Sequence, residues 1–101
     1  MHLIQMLLPV TDNGGRPLGR KHFDEVKREL TRKFRGLTAY SRAPAEGLWK
    51  PRHHTKRDQI VVYEVMTPSL SVAWWKRYKK RLEKSFRQDS IVIRAQPVSV
   101  F

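Results

Sequence analysis

The sequence predicts one α+β domain in which two helices pack on one face of an antiparallel sheet. Short apolar or β-branched runs alternate along the chain with two longer segments of helical periodicity. The chain has 101 residues, of which 40% are hydrophobic, so we expect residues 1–101 to form a single domain with one modest core. Cysteine is absent, which excludes disulfides, thiol chemistry and cysteine-ligated metals.

The first part of the chain reads as a strand, a turn and a helix. Residues 3–8 are an apolar run that stops at Pro9 and predicts a strand. Residues 11–19 consist of turn-forming types. The pattern predicts a helix over 20–35, closed by Gly36. Its apolar stripe has spacings of three and four residues and comprises Phe23, Val26, Leu30 and Phe34.

The middle of the chain is predicted to be β structure. Residues 37–42 are β-compatible, and residues 43–47 are expected to form a turn. Residues 48–50 are compatible with a short strand that pairs with residues 37–42. Residues 58–66 give the clearest strand signal because β-branched and aromatic side chains dominate them.

The last part of the chain reads as a helix over 70–87 followed by a strand over 91–96. One member of the tryptophan pair in this helix is expected to face the sheet. Gln88 is expected to cap the helix end through its backbone. The apolar stripe of the helix comprises Trp74, Trp75, Tyr78, Leu82 and Phe86.

The resulting order, β-α-β-β-β-α-β, predicts a ferredoxin-like sandwich: an antiparallel sheet with both helices on one face. Right-handed crossovers place the first strand and the 58–66 strand in the centre, with the last strand beside the first. The opposite sheet face carries no helix, and we expect a second copy or a ligand to cover it.

A series of short motifs follows in order between residues 34 and 93: Phe34, Gly36-Leu37-Thr38, Gly47 and Trp49, Arg57-Asp58, and Phe86 with Gln88-Asp89-Ser90. This series resembles a family of small bacterial proteins of unknown function, many of them secreted. Arg87 stands where the family pattern has glycine. The resemblance implies a stand-alone α+β domain and draws attention to Trp49, Arg57 and Gln88, but that family has no established activity to transfer.

The charge of the chain is strongly positive. There are 21 Lys and Arg against nine Asp and Glu, a net charge of +12. Such a field attracts polyanions, and a basic second helix predicts a salt-sensitive nucleic-acid site at Lys76, Lys79, Lys80 and Lys84. The alternative is a solvated helix surface. Sequence-specific RNA recognition is disfavoured because the two central strands contain only one aromatic residue, Tyr63.

Three polar residues interrupt the apolar strands: Gln5, Glu64 and Arg94. In the predicted strand order, Glu64 and Arg94 lie on either side of Gln5 on the helix-free face, about 10 Å apart. One hypothesis is a pocket for a small anionic or carbonyl ligand, walled by Tyr40, Arg42 and Trp49, with Arg94 as anion anchor and Glu64 as acid or base. The other is an ion pair at a dimer interface or on a hydrated sheet face.

Metal and cofactor sites are not predicted. His53 and His54 are adjacent, so on an extended segment they point in opposite directions, and with Asp58 they read as a polar loop. Gly14-Gly15 lacks the spacing of a phosphate-binding loop. The short apolar run at the N-terminus does not fit a secretory signal, no run is long enough to span a membrane, and we expect a cytoplasmic protein.

Three functions therefore remain open from the sequence. The first is a non-catalytic binding or interaction domain that dimerises through the open sheet face. The second is a small enzyme of the dimeric α+β-barrel kind with a pocket at Glu64 and Arg94. The third is a non-specific nucleic-acid-binding protein that uses its basic helices.

Overall fold

The computed structural model describes residues 1–34, 38–42 and 60–101. They form an α+β architecture in the order β-α-β-β-α-β. The strand predicted at 48–50 lies outside the described residues, so the order observed here is one strand shorter than predicted. The elements are β1 (His2–Pro9), α1 (Arg20–Phe34), β2 (Thr38–Arg42), β3 (Ile60–Thr67), α2 (Val72–Ser85) and β4 (Val92–Pro97).

The four strands form an antiparallel sheet in the order β2-β3-β1-β4. The central positions of β1 and β3 and the place of β4 beside β1 are as the sequence predicted. These two central strands are the most apolar, which suits strands with a neighbour on each side.

Alternate residues of the central strands enter the core. Ile4, Met6 and Leu8 of β1 are buried, as are Tyr63 and Val65 of β3. This follows from the period of two in a strand, which sends successive side chains to opposite faces. The helices and the segment that follows α2 supply the rest of the hydrophobic cluster, in which Val26, Leu30, Trp75, Tyr78, Leu82, Phe86 and Ile91 are buried. Both predicted helical stripes therefore face the sheet.

The two helices run antiparallel and contact each other along their length. Phe34 at the end of α1 stacks on Trp75 near the start of α2, with ring centroids 5.4 Å apart. His22 in the first turn of α1 meets Phe86 just after α2 in an edge-to-face contact at 5.5 Å. Midway, Tyr78 donates a 3.0 Å hydrogen bond to the Glu29 carboxylate.

The second helix is shorter than predicted because both ends are capped. The Ser71 hydroxyl accepts a hydrogen bond from the Trp74 N–H and starts the helix at Val72. At the other end, Arg87 has a φ of 53°, the left-handed conformation that reverses the chain after a helix. Its N–H bonds to the Lys84 carbonyl and the Gln88 N–H to the Glu83 carbonyl, which completes a Schellman motif. The predicted capping role of Gln88 is thus confirmed.

The turn after β1 is anchored to this helix end. Asp12 accepts 2.9 Å hydrogen bonds from the N–H groups of Gly14 and Arg16, which folds the turn around its carboxylate. The Gln88 side chain donates a 2.7 Å hydrogen bond to the Thr11 carbonyl. The glycine pair therefore belongs to a structural turn, as the sequence analysis favoured.

Candidate functional site

The three polar strand residues lie in one row across the helix-free face of the sheet. The register pairs Gln5 with Glu64 on one side and with Arg94 on the other. All three side chains occupy the face opposite to Ile4 and Met6 because each is offset by one residue from the core positions of its strand. This grouping of residues 5, 64 and 94, here named the polar row, was predicted from the sequence.

Hydrogen bonds join the polar row into one unit. Gln5 donates from Nε2 to a carboxylate oxygen of Glu64 at 2.5 Å. Arg94 donates from Nε to Oε1 of Gln5 at 2.9 Å. An amide carries both a donor and an acceptor, so Gln5 connects a cation to an anion across three strands. The row has no net charge, and each of its members has a partner, which lowers the cost of covering it.

The apolar surroundings of the polar row are most exposed toward its edges. Met66 of β3 and Val92 of β4 lie on the same face as the row and are 50% and 51% exposed. Leu3 and Leu7 of β1 are half-buried there. Val62 is only 3% exposed, so solvent reaches this face chiefly at β4 and at the Met66 end. The face thus combines exposed apolar side chains with one positive and one negative side chain, whose charges sum to zero.

The predicted walls of the ligand pocket are described only in part. By register, Tyr40 of β2 pairs with Val62 of β3, and Arg42 pairs with Ile60. Tyr40 and Arg42 therefore lie on an edge strand of the sheet. Trp49 lies outside the described residues, as do Arg57, His53, His54 and Asp58. Within the described ranges, no three His, Asp or Glu side chains gather in a way that would hold a metal ion.

The four lysines predicted to bind nucleic acid lie on α2 in different surroundings. Lys79 pairs with Glu83 of its own helix, and this carboxylate also accepts a 2.9 Å hydrogen bond from the Ile91 N–H. Both contacts hold the pKa of Glu83 below its ordinary value, with the Lys79 hydrogen bond contributing most. Lys76 lines a shallow apolar pocket between α2 and β4, whereas Lys80 and Lys84 are exposed on the helix surface.

Sequence reasoning missed a cluster of charged and aromatic side chains between the helices. Here Glu29 of α1 receives hydrogen bonds from the Tyr78 hydroxyl and from the guanidinium of Arg81. Arg81 also lies 5.0 Å from the Tyr78 ring centroid. Burial and the neighbouring Glu29 carboxylate raise the pKa of Tyr78. The helical spacing of these residues gives their faces, but their meeting depends on how the two helices cross.

The described part of the chain has no helix with the length and apolar character needed to cross a lipid bilayer. No protein-family model matches the sequence, and comparisons with curated proteins and with solved structures find no match.

Proposed function

We propose that the protein is a non-catalytic interaction domain of ferredoxin-like architecture that forms a homodimer through the helix-free face of its sheet. The strand order β2-β3-β1-β4 with both helices on one face supports the fold assignment. The polar row, flanked by the exposed side chains of Met66 and Val92, is the observation that carries the dimer. A surface of this kind is apolar enough to be covered and charged enough to define an orientation.

The charges of the polar row are self-complementary for one direction of a two-fold axis. An axis parallel to β1, lying between two stacked sheets, exchanges the two ends of the row. It places Glu64 opposite Arg94 of the partner subunit, and Arg94 opposite Glu64 of the partner subunit. An axis perpendicular to the strands instead places like charges opposite each other, which costs free energy. We therefore infer the first arrangement.

The size of the face sets the expected strength of the dimer. Four strands spaced about 4.8 Å apart and about six residues long give a sheet face of about 19 Å by about 20 Å, or about 380 Å² per subunit. Part of this face is already covered, since Val62 is only 3% exposed. A total buried area below about 800 Å² is smaller than that of standard stable interfaces, so we expect a weak dimer with a dissociation constant in the micromolar range or above. The ligand-pocket hypothesis receives less support because Glu64 and Arg94 are each engaged with Gln5 rather than directed at an open cavity.

Sedimentation velocity over a micromolar to submillimolar concentration series tests the proposal. We expect the wild-type chain to dimerise, the single variants Glu64→Arg and Arg94→Glu to remain monomeric, and the double variant to dimerise again. Lys80→Glu, an equal charge change on an exposed helix position, is the matched control and should dimerise like the wild type. Circular dichroism checks that each variant is folded.

A second pair of variants avoids the polar row. Met66→Lys and Val92→Lys add charge at the two exposed apolar positions and should weaken the dimer without disturbing the sheet. A wild-type chain that is monomeric throughout the series would refute the proposal. So would single charge variants that dimerise as strongly as the wild type.

A further inference from the structure

The helical layer carries a basic groove on the side of the molecule opposite to the polar row. The groove lies between α1 and α2 and encloses about 430 Å³. Its basic lining comes from Arg28 and Arg32 of α1 and from Arg81 of α2. The groove exists because the two helices pack through Val26, Leu30, Tyr78 and Leu82, which leaves their outer flanks separated.

A second depression lies beside the groove along α2. It encloses about 280 Å³ and is lined by Trp74, Arg77, Tyr78 and Arg81. Arg81 lines both cavities, and the four arginines that line them, Arg28, Arg32, Arg77 and Arg81, are here named the arginine track. The arginines form two i,i+4 pairs, in each of which the residues lie about 6 Å apart along the helix axis.

The charge balance of the arginine track favours an anionic ligand. Two carboxylates, Glu25 and Glu29, also line the groove. Glu29 is paired with Arg81 and accepts a hydrogen bond from Tyr78, so the charges of Glu29 and Arg81 largely cancel. The other three arginines of the track remain in excess over Glu25. Guanidinium groups bind phosphate oxygens through paired hydrogen bonds, which lysine ammonium groups do not form.

An aromatic cluster holds the track in a defined shape. Trp74 stacks on Tyr78 with ring centroids 4.8 Å apart and meets Trp75 edge-to-face at 4.7 Å. Lys33 lies 4.7 Å from the Trp74 ring centroid and adds a further cation beside Arg77. These ring contacts fix the part of the helix surface that carries the arginines, so binding costs less conformational entropy.

We propose that the arginine track binds the phosphate backbone of a nucleic acid without reading its bases. The rings of Trp74 and Tyr78 are engaged with each other and with cations, so they stabilise the track rather than provide free faces for base stacking. Affinity then comes from phosphate contacts and the release of counterions, and it falls as salt rises. This proposal is independent of the dimer because the two surfaces lie on opposite faces of the sheet.

Fluorescence anisotropy with a labelled single strand and the matching duplex tests the inference. The test variant combines Arg28→Ala, Arg32→Ala and Arg77→Ala, which leaves the Glu29–Arg81 contact in place. The control combines Lys21→Ala, Lys80→Ala and Lys84→Ala, three exposed positions that remove the same net charge elsewhere on the helices. Thermal denaturation checks that both variants are folded.

We expect the arginine variant to lose at least about tenfold in affinity and the lysine control to lose much less. The slope of log affinity against log salt should fall by about 2 for the single strand, because each lost phosphate contact contributes about 0.7. Equal affinity for strands of different base sequence is also expected. The inference is overturned if the wild type does not bind at low salt, if both variants lose affinity equally, or if polyglutamate competes as well as the nucleic acid.

Discussion

Arg94 donates a 2.9 Å hydrogen bond from its Nε to the side-chain carbonyl of Gln5, across the boundary between the edge strand β4 and the central strand β1. The same glutamine donates to Glu64 on its other side. One uncharged side chain therefore links the two charges of the open sheet face, and its loss should affect both.

Replacement of Gln5 by methionine tests this link. Methionine keeps the length of the side chain, but it neither accepts the hydrogen bond from Arg94 nor donates the one to Glu64. We expect the free energy of unfolding to fall by about 1–2 kcal/mol, since two hydrogen bonds to charged groups at a half-buried position are lost. Urea denaturation measures the change. Gln96→Met, at an exposed position on the same face of β4, is the matched control and should change stability by less than about 0.5 kcal/mol.

Arg87 occupies a backbone conformation that favours glycine. Its φ of 53° places an L side chain in the left-handed region, where a Cβ atom costs about 1 kcal/mol. The guanidinium compensates little, because it is exposed and 4.0 Å from the Asp12 carboxylate. We expect Arg87→Gly to raise the melting temperature by a few degrees, as measured by calorimetry. Arg87→Ala keeps the Cβ atom and should not; an equal gain in both variants would contradict this explanation.

Two carboxylates should make the fold sensitive to acid. Hydrogen bonds from the Arg16 and Gly14 N–H groups hold the pKa of Asp12 below its ordinary value of 3.8, and the pKa of Glu83 lies below its ordinary 4.5. A lowered pKa in the folded state means that the unfolded chain binds protons first. The stabilisation is complete above these ordinary values and is lost as pH falls through the folded pKa values.

Urea denaturation between neutral pH and pH 2 measures this acid sensitivity. We expect Asp12→Asn to be less stable than the wild type at pH 7 but to lose less of its remaining stability as the pH falls, because one of the two groups no longer titrates. Asp89→Asn, which removes an exposed carboxylate near the same helix end, controls for the change in net charge. A wild-type stability that is unchanged down to pH 2 would refute the assignment.

The Tyr78 hydroxyl should make the contact between the helices sensitive to base. Burial and the Glu29 carboxylate raise the pKa of Tyr78 above its ordinary value of 10.0. The stabilisation that its neutral form provides is complete below pH 10 and is lost progressively at higher pH. Tyr78→Phe should lower the free energy of unfolding at pH 7 by about 1 kcal/mol through the lost hydrogen bond to Glu29. It should also reduce the loss of stability above pH 10, which denaturation at alkaline pH measures.

Local patterns in the sequence were sufficient to predict the two helices, the four strands described here and the polar row. The period of two in β1 and β3 separates Gln5 and Glu64 from the core residues, and the crossover rules bring Arg94 beside Gln5. The spacing of Phe23, Val26, Leu30 and Phe34 likewise identified the buried side of α1. These predictions succeeded because they depend on repeats within single elements and on a small number of permitted topologies.

Contacts between distant elements could not be predicted in this way. The surroundings of the lysines of α2 are one example: Lys79 pairs with Glu83, and Lys76 lines the pocket beside β4. The arginine track needs Arg28 and Arg32 from one helix beside Arg81 from another, 49 or more residues later in the chain. The distance and crossing of two helices depend on how their side chains interdigitate, which a pattern within either helix does not contain.

The sequence by itself thus determined the order of the elements, the side of each element that is buried and the strong positive charge. Only the tertiary structure decided which charges meet between the helices: Glu29 with Arg81, and the four arginines along the helical groove. The physical reason is that burial follows from local periodicity, whereas the field at a surface depends on distances between side chains that are far apart in the chain.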